Sequence, residues 1–136
     1  MKIYIAGPMR GIPHFNFPMF FAVAKHLRNL GHEVFCPAER DVEKYGKDIY
    51  ASPTGNLDDI AHLGFNLNEA LEADLTWICR NAEGIAMLPG WENSKGATAE
   101  KALAEALKVQ VFYVVPEDLG WFGLFKDYNK AASCLK

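Results

Sequence analysis

Lys2-Ile-Tyr-Ile-Ala-Gly-Pro-Met-Arg-Gly11 is the stretch that decides the fold. Ile3 to Ala6 form a short apolar run of β type, and Gly7-Pro8 stops it. An arginine and a second glycine follow, and a helical pattern begins about five residues later. A buried strand that empties through a Gly/Arg loop into a helix makes an anion site. Glycines let backbone N–H groups approach, the helix N-terminus carries positive dipole, and Arg10 adds a fork of donors. Gly7, Pro8, Met9, Arg10 and Gly11 are therefore the candidate phosphate-binding loop.

The rest of the chain repeats this pattern of strand, turn and helix. Phe17, Phe20, Phe21, Ala24 and Leu27 recur at three- and four-residue steps and predict a helix over 17–29, with Gly31 at its C-cap. His32–Cys36 reads as a second strand, closed by Pro37. Residues 38–56 are polar and carry Gly46, Pro53 and Gly55, so they read as the least structured stretch, a loop with a helical turn. Leu57–Cys79 reads as one long helix with Asn56 or Asp58 as its cap and Ile60, Leu63, Leu67, Leu71 and Ile78 as its apolar stripe. Gly84–Leu88 is a third strand, 95–107 an Ala/Leu-rich helix, and Val109–Val115 a fourth strand. The tail from Leu119 to Leu135 carries aromatics and one further helix.

Strands alternating with helices imply a parallel sheet covered on both faces, and strands this short and apolar fit such a sheet. The expected architecture is a three-layer, doubly wound, Rossmann-like α/β fold of about four to five strands, forming one domain over 1–136. Ligands in such folds bind beyond the carboxyl ends of the strands. Three segments sit there: 7–11, 37–41 and 89–96. The first and third are expected to share a crevice.

Composition narrows the function classes. Hydrophobic residues make up 50% and charged residues 23%, as in ordinary globular chains. A net charge of −3 argues against a nucleic-acid polymer as partner. Three widely spaced cysteines, with no Cys/His pairing, argue against a metal site and for a reduced, cytoplasmic setting. No run approaches the roughly 20 apolar residues of a membrane span, and no signal peptide precedes the first strand.

Two acids stand out. Glu100 falls early in its helix on a face shared with Leu103 and Leu107, with Gly96 one turn above it. An acid near a helix start also simply favours the dipole. Asp74 lies on the apolar stripe of its helix, where a carboxylate is costly unless paired with an arginine or backbone group, or used in chemistry. Tyr4 is a strand aromatic whose hydroxyl needs a partner if buried. Ser94 is a natural helix cap that also faces any bound anion. Trp91 and Phe15 flank the loops and are candidates to stack on a base, with core packing as the plain alternative. Asp58, Asp59 and 41–44 read as solvated helix faces.

Together the opening segment and Leu88-Pro-Gly-Trp-Glu-Asn-Ser-Lys-Gly-Ala-Thr-Ala-Glu100 resemble the nucleoside 2-deoxyribosyltransferase superfamily. The branch most similar is that of the 2′-deoxynucleoside 5′-phosphate N-hydrolases, together with small phage and bacterial proteins of unassigned function. The similarity runs from residue 2 to about 115. It implies that Glu100 is the carboxylate nucleophile, that Asp74 assists departure of the base, and that Tyr4 stands beside the nucleophile. It also implies that Gly7, Arg10 and Gly11 form the loop around a sugar phosphate and that Ser94 contacts that phosphate, while Gly96, by its spacing from Glu100, leaves room for the ligand.

The implied activity is cleavage or transfer of the N-glycosidic bond of a nucleoside or nucleotide, without metal or cofactor, in a homodimer or larger homo-oligomer. A non-catalytic nucleotide sensor and an NAD glycohydrolase are the alternatives. The chain departs from the N-hydrolases at Pro116-Glu-Asp-Leu-Gly120, which offers two acids and no serine, so the need for a 5′-phosphate stays open.

Overall fold

The computed structural model describes residues 1–115. The segment Pro116–Gly120 and the tail helix expected beyond it lie outside the described residues. The fold is α/β, with four parallel strands in the order β2-β1-β3-β4: β1 (Lys2–Ala6), β2 (Glu33–Phe35), β3 (Gly84–Met87) and β4 (Gln110–Tyr113). Helices α1 (Phe17–Asn29), α2 (Pro37–Tyr45), α3 (Leu67–Asn81) and α4 (Lys95–Ala106) flank this sheet, as the three-layer reading requires.

Alternation along β1 decides which residues reach the site. Ile3 and Ile5 point to one face, where they pack with Phe20, Val23, Ala24 and Leu27 of α1. Tyr4 and Ala6 point to the other, with Ile78 of α3 and Ala97 and Ala104 of α4. All four of these β1 residues are buried, as befits an interior strand covered on both faces.

Two readings need correction. The polar stretch 38–56 is not mainly loop: it holds α2 and a 3-10 helix over Lys47–Tyr50. Pro37 occupies the first turn of α2, where its missing N–H costs nothing, and Gly46 at φ 84° ends it. The single helix expected over 57–79 is two elements. A 3-10 helix spans Leu57–Leu63, capped by the Asn56 side chain, and α3 begins afresh after Asn66. Gly64 adopts φ 77°, which breaks the helix, and the Asn66 side chain accepts from the Glu69 N–H to start the next one. Leu67, expected on the stripe, is 44% exposed as a result.

The remaining boundaries differ by a residue or two, as fraying ends do. Among the described residues no helix is long and apolar enough to cross a membrane.

Candidate active site

A cavity of about 680 Å³ opens at the carboxyl ends of the strands. That is within the usual range for a small-molecule site. All three strand-end segments reach it, not only the first and third. Arg10 and its neighbours come from the loop after β1, Arg40 and Asp41 from α2 after β2, and Ser94 and Gly96 from the N-cap and first turn of α4 after β3. One wall is apolar and includes Phe15, Phe17 and Ile60.

The floor is a chain of polar groups from four elements. Tyr4, fully buried on β1, donates to Glu100 Oε2 at 2.6 Å. Glu100 is 5% exposed and Asp74 7% exposed, and their carboxyls are within hydrogen-bonding reach of each other. Asp74 Oδ1 accepts from Arg40 at 2.7 Å, and the same guanidinium donates through Nε to Asp41 Oδ1 at 3.1 Å. The face of α4 that carries Glu100 is Ala97–Glu100–Ala104. Leu107, expected on that face, is 46% exposed. Two alanines, not leucines, let α4 seat its acid against Tyr4.

Burial pushes the Glu100 carboxyl well above the usual range, the charge of Asp74 pushes it further, and the Tyr4 hydrogen bond opposes the shift. Burial also raises Asp74, against the pull of Arg40. Burial and then the Glu100 charge raise Tyr4, so it remains a neutral phenol and a donor. Two carboxyls in contact need a proton between them. Arg40 holds negative charge on Asp74, so in the resting site that proton sits on Glu100. Cys36 is not a rival nucleophile, since burial pushes its thiol up to about 12.

The anion loop is more constrained than its sequence suggests. A Cβ on Gly7 would lie 2.6 Å from Leu88 Cβ, so this glycine is needed for the close approach of β1 and β3, whatever the ligand. Gly11 stands outside the cavity lining with φ 84°, and its N–H is spent on the Gly55 carbonyl at 2.9 Å. Pro8, Met9 and Arg10 do line the cavity. Arg10 is exposed and makes no ion pair among the described residues. Ser94 caps α4, accepting from the Ala97 N–H at 3.1 Å, and Gly96 lines the cavity beside it.

The two stacking candidates separate. Phe15 is buried in the cavity wall within three successive left-handed residues, His14, Phe15 and Asn16 (φ 58°, 52° and 63°). Each is strained by about 1 kcal/mol or more. Bonds from the His14 N–H to the Ser52 carbonyl (2.7 Å) and from the Asn16 side chain to the Pro8 carbonyl (3.0 Å) hold the turn. Trp91 is not part of the lining: it packs against Tyr113, with Lys101 Nζ 5.1 Å from its ring centroid.

Arg40 and Asp41 are the site residues that reading the sequence missed, and Asp41 is buried rather than solvated. The signal was present. Pro37 follows a strand directly, Glu39 sits in the first turn, and Ala38, Val42 and Tyr45 fall at helical steps.

No curated protein matches the chain. The family model described as "Domain of unknown function (DUF4406)" matches residues 1–113, which include the whole sheet and every residue that lines the cavity, and the chain belongs to that family.

Proposed function

We propose that the protein cleaves, or transfers across, the N-glycosidic bond of a nucleoside or nucleoside 5′-monophosphate. The observation that carries this reading is the Tyr4–Glu100–Asp74 cluster at the base of a cavity with an apolar, aromatic wall. Glu100 is the nucleophile at the anomeric carbon, and Asp74 is the acid for the leaving base.

The resting proton distribution suits this chemistry. When the proton moves from Glu100 to Asp74, one transfer produces both the ionised nucleophile and the acid. The C1′–N bond then breaks, the Asp74 proton goes to the base nitrogen, and a Glu100 Oε–C1′ bond forms. Water, giving up a proton to Asp74, releases the sugar and restores Glu100; an acceptor base in its place completes a transfer. Tyr4 steadies the carboxylate of Glu100 as charge develops. Lys95 at the start of α4, beside Ser94 and Gly96, supports a sugar phosphate at that end of the cavity. By the resemblance to the deoxyribosyltransferase superfamily, the working unit is a cytoplasmic homodimer or higher homo-oligomer.

The test is base release from a panel of nucleosides and deoxynucleoside 5′-monophosphates, with and without an acceptor base. The expected result is release by the wild type and a loss of at least about 1,000-fold in Glu100→Ala. An unreactive panel, or an active Glu100→Ala protein, overturns the assignment. Tight binding without turnover, unchanged in Glu100→Gln, supports a nucleotide sensor instead.

A further inference from the structure

Asp41 has no role in the chemistry above, yet it is 4% exposed and lines the same cavity. Its Oδ1 is held by Arg40, while its Oδ2 has no partner among the described residues. A buried carboxylate oxygen left unpaired beside a cavity is costly, and a ligand donor would satisfy it.

Its place in the sheet says which part of the ligand it meets. In the order β2-β1-β3, Asp41 follows β2, whereas Ser94, Lys95 and Gly96 follow β3. Glu100 and Asp74 attack and protonate at the glycosidic bond, between these two ends. A phosphate is favoured at the α4 N-terminus and repelled by Asp41. The sugar phosphate therefore extends toward β3 and the base toward β2.

We propose that Asp41 is the base-reading residue of this site, its free Oδ2 accepting a hydrogen bond from an exocyclic amino group of the nucleobase. The inference rests on the N-glycosidase reading and adds the class of base. Arg40 holds the other oxygen of the carboxylate, so the acceptor is fixed before the ligand arrives. The Asp41 carboxyl is raised to about 6 by burial, so it still accepts at neutral pH.

The test compares nucleotides that differ by the amino group alone. Deoxyadenosine monophosphate is set against its purine analogue without the 6-amino group, and deoxycytidine monophosphate against its 2-pyrimidinone analogue. Both Kd and kcat/KM are measured. The wild type is expected to lose about 10- to 100-fold on deletion of the amino group for at least one pair, the range for a hydrogen bond to a charged acceptor. Asp41→Asn keeps the oxygen that faces Arg40 and converts the free one to a donor, and it is expected to bring the ratio within about threefold.

A wild type that binds these nucleotides yet ignores the amino group overturns the inference and leaves the N-glycosidase reading standing. The same holds if the ratio persists in Asp41→Asn. A protein that neither binds nor cleaves any of them overturns both. The wild-type comparison needs no variant to fold.

Discussion

At the scale of the residue, the centre of the site is Arg40. One guanidinium serves two buried carboxylates, Asp41 and Asp74, and it also reaches toward the Ala70 carbonyl and lies over the Phe35 ring. Burial works against its charge, but the two acids overcome this and raise its pKa. Removing one partner of a buried ion pair typically costs about 3–5 kcal/mol, because the remaining charge is stranded. In Arg40→Met two are stranded. They respond by binding protons, so the folded-state pKa values of Asp41 and Asp74 rise further above those of the unfolded chain. A group raised on folding stabilises below its unfolded pKa and loses that contribution as pH rises. Denaturant titration is therefore expected to show a loss of about 3 kcal/mol or more at pH 8 and a smaller one at pH 5. Equal losses at the two pH values would contradict the placement of Arg40 between two acids.

At the scale of the element, the apolar ones were legible. In β1, β3 and α1 the hydrophobic residues carry the period themselves. In α2 they do not: Glu39, Arg40, Asp41, Glu43 and Lys44 hide the period of Ala38, Val42 and Tyr45. Between Leu57 and Asn81 the reverse occurs. Apolar residues stay in helical phase across Gly64-Phe65-Asn66, although a C-capping glycine and an N-capping asparagine stand only one residue apart there. Two of the site's three acids were legible because Glu100 and Asp74 interrupt apolar faces, whereas Asp41 sits among charged neighbours and read as solvated. Arg40 was not, because only the fold brings residue 40 to residue 74. Gly7 marks a further limit, since a glycine after a strand reads as a ligand loop while the structure shows a packing need. Gly7→Ala places a methyl 2.6 Å from Leu88 Cβ, where the neighbour is the stem of a buried side chain and not a flexible end. The expected cost is about 1–3 kcal/mol, read from a lowered denaturation midpoint at unchanged slope. A neutral effect would mean that β1 and β3 can part at their ends, and the glycine would then belong to the ligand.

At the scale of the whole molecule, the site places a distinctive pH signature on stability. Most proteins lose stability in acid because folding lowers their carboxyl pKa values. Here folding raises three. Asp41 goes from 3.8 to about 6, and Asp74 and Glu100 also rise, all chiefly through burial. Between about pH 4 and the folded-state values, the native chain holds more protons than the unfolded one, so the slope of unfolding free energy with pH is negative. His26, lowered by burial, works in the other direction near pH 6, as one group against three. The Asp41 change alone corresponds to about 3 kcal/mol of differential stability between acid and neutral pH. For a chain of this size that is roughly 10 °C in Tm. Thermal melts are expected to give a higher Tm at pH 5 than at pH 8, and Glu100→Gln is expected to raise the Tm at pH 8, because the amide is neutral without having to hold a proton that the unfolded carboxyl gives up. Such a gain from deleting the proposed nucleophile would show stability given up to keep three acids beside the cavity. A wild-type Tm that is flat or rising from pH 5 to pH 8 would mean that the three carboxyls do not titrate as a buried cluster, and the proton that the mechanism draws from Glu100 would have no store.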